Sequence, residues 1–126
     1  MQIFACIDNI KILCYNIYMK VVIIGFNDYE KLDNAMQSLI AEKQCYLFTV
    51  LCGGTSPKAP QTMGTAWAEK NGAPLEYIFD EDVEKLLEKI SKSADYIVAF
   101  VDGSNNMVNR LIMKMKSLGK HGTVIK

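Results

Sequence analysis

The stretch 96-YIVAFVDGSNN-106 carries six apolar residues in a row and then breaks into Asp102-Gly103-Ser104-Asn105-Asn106. A strand with one wet face alternates apolar and polar residues, whereas an unbroken apolar run is the pattern of a strand buried on both faces. Such burial needs helices on both sides of a parallel sheet. The abrupt stop suits a plain turn or the rim of a ligand site, because open parallel sheets bind ligands beyond the carboxyl ends of their strands.

Outward from this run, the pattern repeats. Residues 20-KVVIIG-25 read as a short buried strand ending in glycine, and 45-CYLFTVLC-52 as a second strand ended by Gly53-Gly54. A third strand, 74-PLEYIF-79, opens on a proline, which cannot donate to a sheet ladder and so marks a strand near an edge. A last short strand is 122-GTVIK-126. Between them lie helical patterns. The first runs from about Asn27 to Lys43, with Leu32, Ala35, Met36, Leu39 and Ile40 on one face and Asn27 with Glu30 as a capping pair. A short helix over 63–70 ends at Asn71-Gly72. The segment 80-DEDVEKLLEKISKS-93 has acids in its first turn and lysines in its last, with Glu81–Lys85 and Glu88–Lys92 spaced for ion pairs. The final helix, about Ser104 to Leu118, buries Met107, Val108, Leu111, Ile112, Met115 and Leu118. The alternation predicts a Rossmann-like three-layer α/β/α fold with a five-stranded parallel sheet and right-handed crossovers.

The chain of 126 residues suits one domain, assigned to 19–126. Met19-Lys20-Val21-Val22 reads as a natural start, which makes residues 1–18 an N-terminal extension; the alternative is a hairpin, IFACI-DN-IKILC, turning at Asp8-Asn9. Lys+Arg and Asp+Glu balance at 14 each, and Arg110 is the sole arginine, so nothing favours nucleic acid or an acidic membrane. Cys6, Cys14, Cys45 and Cys52 form no C-x-x-C pair and sit in apolar runs, and there is one histidine. The reading is a reducing cytoplasmic compartment, no metal and no cofactor. No apolar run reaches the ~18 residues of a membrane span.

Three strand ends offer candidate ligand-binding residues: Gly25, Asn27 and Asp28; Gly53, Gly54 and Thr55; Asp102, Gly103 and Ser104. Glycines let a ligand approach the backbone, and amides at a helix start hold anions. Each has a bland counterpart. Gly25 suits a tight turn, Gly53-Gly54 a turn with positive φ, and Ser104 a helix cap. Asp28 and Asp102 are the carboxylates available for catalysis; a solvated helix-start acid and a ligand-orienting acid are the other readings. Lys58, Arg110 and His121 read as surface, Trp67 as core, and Met113 as a stray apolar residue or an interface marker. No P-loop, dinucleotide fingerprint or nucleophile elbow is present.

Taken together, 20-KVVIIG-25 with Asp28-Tyr29, 51-LCGG-54, 64-GTAWAEKNGAPL-75 and 94-ADYIVAFVDGS-104 resemble the SLOG superfamily, which includes the DprA and LOG families. Within it the likeness is to the YspA-like branch of bacteria and their phages. The resemblance implies a pocket for a nucleotide or nucleotide-derived ligand, with Gly25, Asp28, Gly53, Gly54, Asp102, Gly103 and Ser104 as the matching positions. The sequence departs from the family at Phe26-Asn27, where a Ser-Arg pair is usual, and in the loop 55-TSPKAPQT-62. The LOG hydrolase motif is not recognisable. The expected function is ligand binding or sensing. The alternatives are an N-glycosidic hydrolase acting on a nucleotide and a protein-interaction module with a decayed pocket. Homo-oligomerisation is expected beside the small-molecule ligand.

Overall fold

The computed structural model describes residues 18–43, 47–103 and 106–126. The expected alternation is there: β1 (Tyr18–Ile24), α1 (Tyr29–Lys43), β2 (Leu47–Gly54), α2 (Met63–Asn71), β3 (Leu75–Phe79), α3 (Val83–Ser93), β4 (Tyr96–Phe100), α4 (Asn106–Ser117) and β5 (His121–Ile125). All pairings are parallel, in the order β3-β2-β1-β4-β5. β3 is thus an edge strand, as Pro74 indicated. The expected turn at Asp8-Asn9, the cysteines at 6, 14 and 45, and Ser104 lie outside the described residues.

Successive residues of the central strands serve opposite faces. Val21, Ile23, Val50 and Val98 pack under α1 and α2, against Leu32, Met36 and Trp67. Val22, Leu51, Ile97 and Ala99 pack under α3 and α4, against Leu86, Leu87, Leu111 and Met115. Each fully buried leucine contributes about 1.5–3 kcal/mol by leaving water. Trp67 is core, and its indole Nε1 donates to Asp33 Oδ1 at 3.0 Å, which satisfies its polar atom.

Two local devices fix the second half of the sheet. The Asp95 amide donates to the Lys20 carbonyl at 2.8 Å, while the Lys20 amide donates to Asp95 Oδ2 at 2.9 Å. This two-way clamp sets the register in which Val21 faces Tyr96. Lys120 Nζ donates to the carbonyls of Ser91, Lys92 and Ala94 at 2.8, 2.9 and 2.6 Å. Its three N–H groups thereby satisfy the orphan carbonyls at the α3 carboxyl end, where the helix dipole is negative. Lys120→Met is expected to lower unfolding free energy by about 1–3 kcal/mol, because charged hydrogen bonds are lost and buried carbonyls are left bare. Urea denaturation reads this as a lower midpoint at unchanged slope; a shift below about 0.5 kcal/mol would deny the cap its role.

Several local expectations are corrected. Asn27 and Glu30 do not cap α1; Asp28 Oδ1 accepts from the Glu30 and Lys31 amides at 2.9 and 3.4 Å. Gly53 and Gly54 belong to β2 rather than to a turn, and neither has positive φ. Leu118 is exposed, because α4 ends at Ser117. Of the two spaced ion pairs on α3, Glu88–Lys92 forms at 3.1 Å, whereas Glu81 precedes the helix.

Candidate functional site

A parallel sheet places the loops after its strands at one end, so Gly25, Gly53-Gly54 and Gly103 gather there. Strand order reverses between β1 and β4, the position where such sheets open a crevice. There Gly25 is exposed, and its backbone packs closely on β4. Gly25 has φ +88°, and a Cβ on it would lie 2.4 Å from the Phe100 carbonyl oxygen and 3.2 Å from Val108 Cγ2. The Phe26 and Phe100 rings pack beside it, centroids 5.9 Å apart, with the Lys31 ammonium 4.9 Å from the Phe100 centroid. Glycine is needed at 25 for its left-handed backbone and for contact with β4.

The open space lies one strand over. A pocket of about 120 Å³ sits at the carboxyl ends of β1 and β2. Its floor is Ile23, Ile24, Gly25 and Gly53; its walls are Leu87 and Ile90 of α3, Met107 of α4, and Thr62, Met63 and Gly64 at the start of α2. Two of the lining glycines permit close packing: a Cβ on Gly64 would come within 3.1 Å of Ile23 Cβ as α2 approaches β1, and a Cβ on Gly53 would reach 2.5 Å from Ile90 Cδ1.

The chemistry of this lining is neutral. Among the described residues, no charged side chain lines the pocket. Thr62 is committed to a reciprocal capping box: its hydroxyl oxygen accepts from the Thr65 amide at 3.1 Å, and its own amide donates to Thr65 Oγ1 at 2.8 Å. The amides of Met63 and Gly64, the first two of α2, have no partner among the described residues. Cys52 also lines the pocket; its thiol donates to the Glu76 carbonyl at 3.8 Å, and burial pushes its pKa up, which keeps it protonated.

The rim is acidic in composition. The described loops at this end hold Asp28, Asp80, Glu81, Asp82 and Asp102 against Lys58. Much of this charge is engaged locally. Asp28 caps α1, and Asp82 Oδ1 caps α3 by accepting from the Glu84 and Lys85 amides at 2.8 and 3.4 Å. The Asp82 amide, then the Lys89 ammonium at 2.9 Å, hold the Asp80 carboxyl below its usual range. Arg110 pairs with Glu84 across α3 and α4. Among the described residues, no group of three or more His, Cys, Asp or Glu is placed to hold a metal ion, and no helix is long and apolar enough to cross a membrane.

Of the residues singled out from sequence, Gly25 and Gly53 line the pocket. Gly54 lies beside it, where a Cβ would sit 2.7 Å from the Tyr77 hydroxyl, a group that donates to the Ser56 carbonyl. Asn27, Asp28 and Thr55 are exposed at the same end, and Asp102 and Gly103 are exposed beyond β4, outside the lining. Lys58 and His121 are exposed, and Met113 is 70% exposed on α4. The α2 start and the α3 wall were not singled out. A legible signal existed for the former: Thr62-x-x-Thr65 enclosing a glycine is a capped helix start with room beside it.

No protein-family model matches the chain, and comparison with curated proteins gives no match. Among solved structures, the chain is similar to the universal stress protein from Archaeoglobus fulgidus, whose structure is a complex with dAMP. The TM-score is 0.54 and the identity 16%, over 87% of this chain and 99% of that one. The likeness carries the α/β Rossmann-like fold.

Proposed function

We propose that this protein is a binding module for a nucleotide or nucleotide-derived small molecule, held in the pocket at the carboxyl ends of β1 and β2. The observation that carries the reading is the cavity itself: an apolar hollow at the ligand-binding end of a parallel sheet, lined by Gly53 and by Met63 and Gly64 at the start of α2. The ligand class is the one implied by the resemblance to the YspA-like SLOG branch, and the dAMP complex of a protein of similar fold supports it. Binding is preferred to N-glycosidic hydrolysis because Asp28 is occupied as a helix cap and the pocket lining offers no carboxylate to activate water.

Thermal denaturation with a panel of nucleobases, nucleosides, nucleotides and cyclic nucleotides tests this. A ligand at a hundredfold excess over its Kd adds about 2.7 kcal/mol to the native state, which raises Tm by several degrees. A flat Tm across the whole panel would sink the proposal, and release of free base during incubation would replace binding by hydrolysis.

A further inference from the structure

The pocket also bears on which part of such a ligand it takes. We infer that it receives the uncharged ring of a nucleobase or nucleoside and leaves any phosphate outside, so that phosphorylating the ligand adds nothing to its binding. The inference rests on the proposed function and narrows it.

Size is the first ground. A cavity of about 120 Å³ is close to the roughly 150 Å³ that, lined by aliphatic side chains, accepts benzene. That is the scale of one planar ring.

Charge is the second. An anion entering between Ile23, Ile90 and Leu87 would lose its water with no cationic side chain to meet it. The amides of Met63 and Gly64 offer the partial positive charge of a helix start, about half a unit shared over the turn. That is too little to offset burial of a phosphate, but it suits a neutral acceptor such as a ring carbonyl or ring nitrogen, which is far cheaper to desolvate. Cations at this end are engaged elsewhere: Arg110 is paired with Glu84, Lys89 with Asp80, and the Lys31 ammonium lies over the Phe100 ring.

The test is isothermal titration of the full chain with one base as free base, nucleoside, 5′-monophosphate and 5′-triphosphate, at 50 and 500 mM NaCl. The expected result is a nucleoside and monophosphate within threefold of each other, a triphosphate no tighter, and nucleoside affinity that changes less than twofold with salt. Monophosphate binding more than tenfold tighter than the nucleoside, or affinity that collapses with salt, would overturn the inference while leaving the proposed function standing. Binding by none of the series defeats both. Gly53→Ala, which pushes Ile90 Cδ1 into the hollow, is expected to weaken the nucleoside at least tenfold. Unchanged affinity in that variant would place the ring elsewhere and overturn the inference; if the variant fails to fold, Ile90→Phe fills the same wall and is read the same way.

Discussion

Gly25→Ala is expected to cost about 2–5 kcal/mol, a large share of a domain's stability. Two terms add. An L-residue in the left-handed region costs about 1–2 kcal/mol. The new methyl then meets the Phe100 carbonyl oxygen at 2.4 Å, and backbone at the end of β4 cannot swing aside as a side-chain end can; such overpacking costs about 1–3 kcal/mol more. Gly103→Ala is the matched control. Its φ is also +88°, but nothing lies within 4 Å of its Cβ, so only the first term applies and the loss is about 1–2 kcal/mol. Equal losses in the two variants, measured by urea unfolding, would show that Gly25 is a turn residue and nothing more.

The second large effect is expected at Leu87. Its side chain is fully buried in the core beneath α3 and α4, and it also forms a wall of the pocket. Leu→Ala in a core costs about 2.7–5 kcal/mol, rising with the cavity left behind. Here the new void joins an existing one of about 120 Å³, so neighbours have little to collapse onto, and Leu87→Ala falls at the upper end of that range. Leu39→Ala, equally buried but on the opposite face of the sheet, separates pocket from core. Both variants should lose stability, but only Leu87→Ala should change ligand binding. A loss under 2 kcal/mol at Leu87 would mean that the wall relaxes into the pocket.

The fold was legible because its main signals are local. Apolar runs 20–25 and 96–101, with amphipathic repeats between strands, dictate buried strands and covering helices wherever the chain goes. Pro74 even placed β3 at an edge. The site was legible only in part, because its determinants are contacts between distant segments. Gly53 reads as a turn residue until Ile90 is seen pressed against it, and Gly54 until Tyr77 crosses above it. Asp28 reads as either a helix-start acid or a catalytic carboxylate, and the start of α1 at Tyr29 decides for the former, with its oxygen accepting from amides. The pocket is lined by Gly25 and Gly53 at the ends of the first two strands, whereas Asp102 and Gly103 lie outside its lining. No local pattern encodes the close approach of Gly25 to the Phe100 carbonyl, since it depends on how closely β1 and β4 pack.

The first strand among the described residues lies at the centre of the sheet, between β2 and β4. A nascent chain that has emerged only through β3 therefore has one side of β1 bare, with its ladder groups unpaired until Asp95 and β4 arrive some 75 residues after Lys20. Closing so long a loop is slow compared with pairing β1 to β2. Truncations before Tyr96 should thus be sticky species that seek strands from other chains, whereas loss of β5 alone uncovers only the rim of an already completed core.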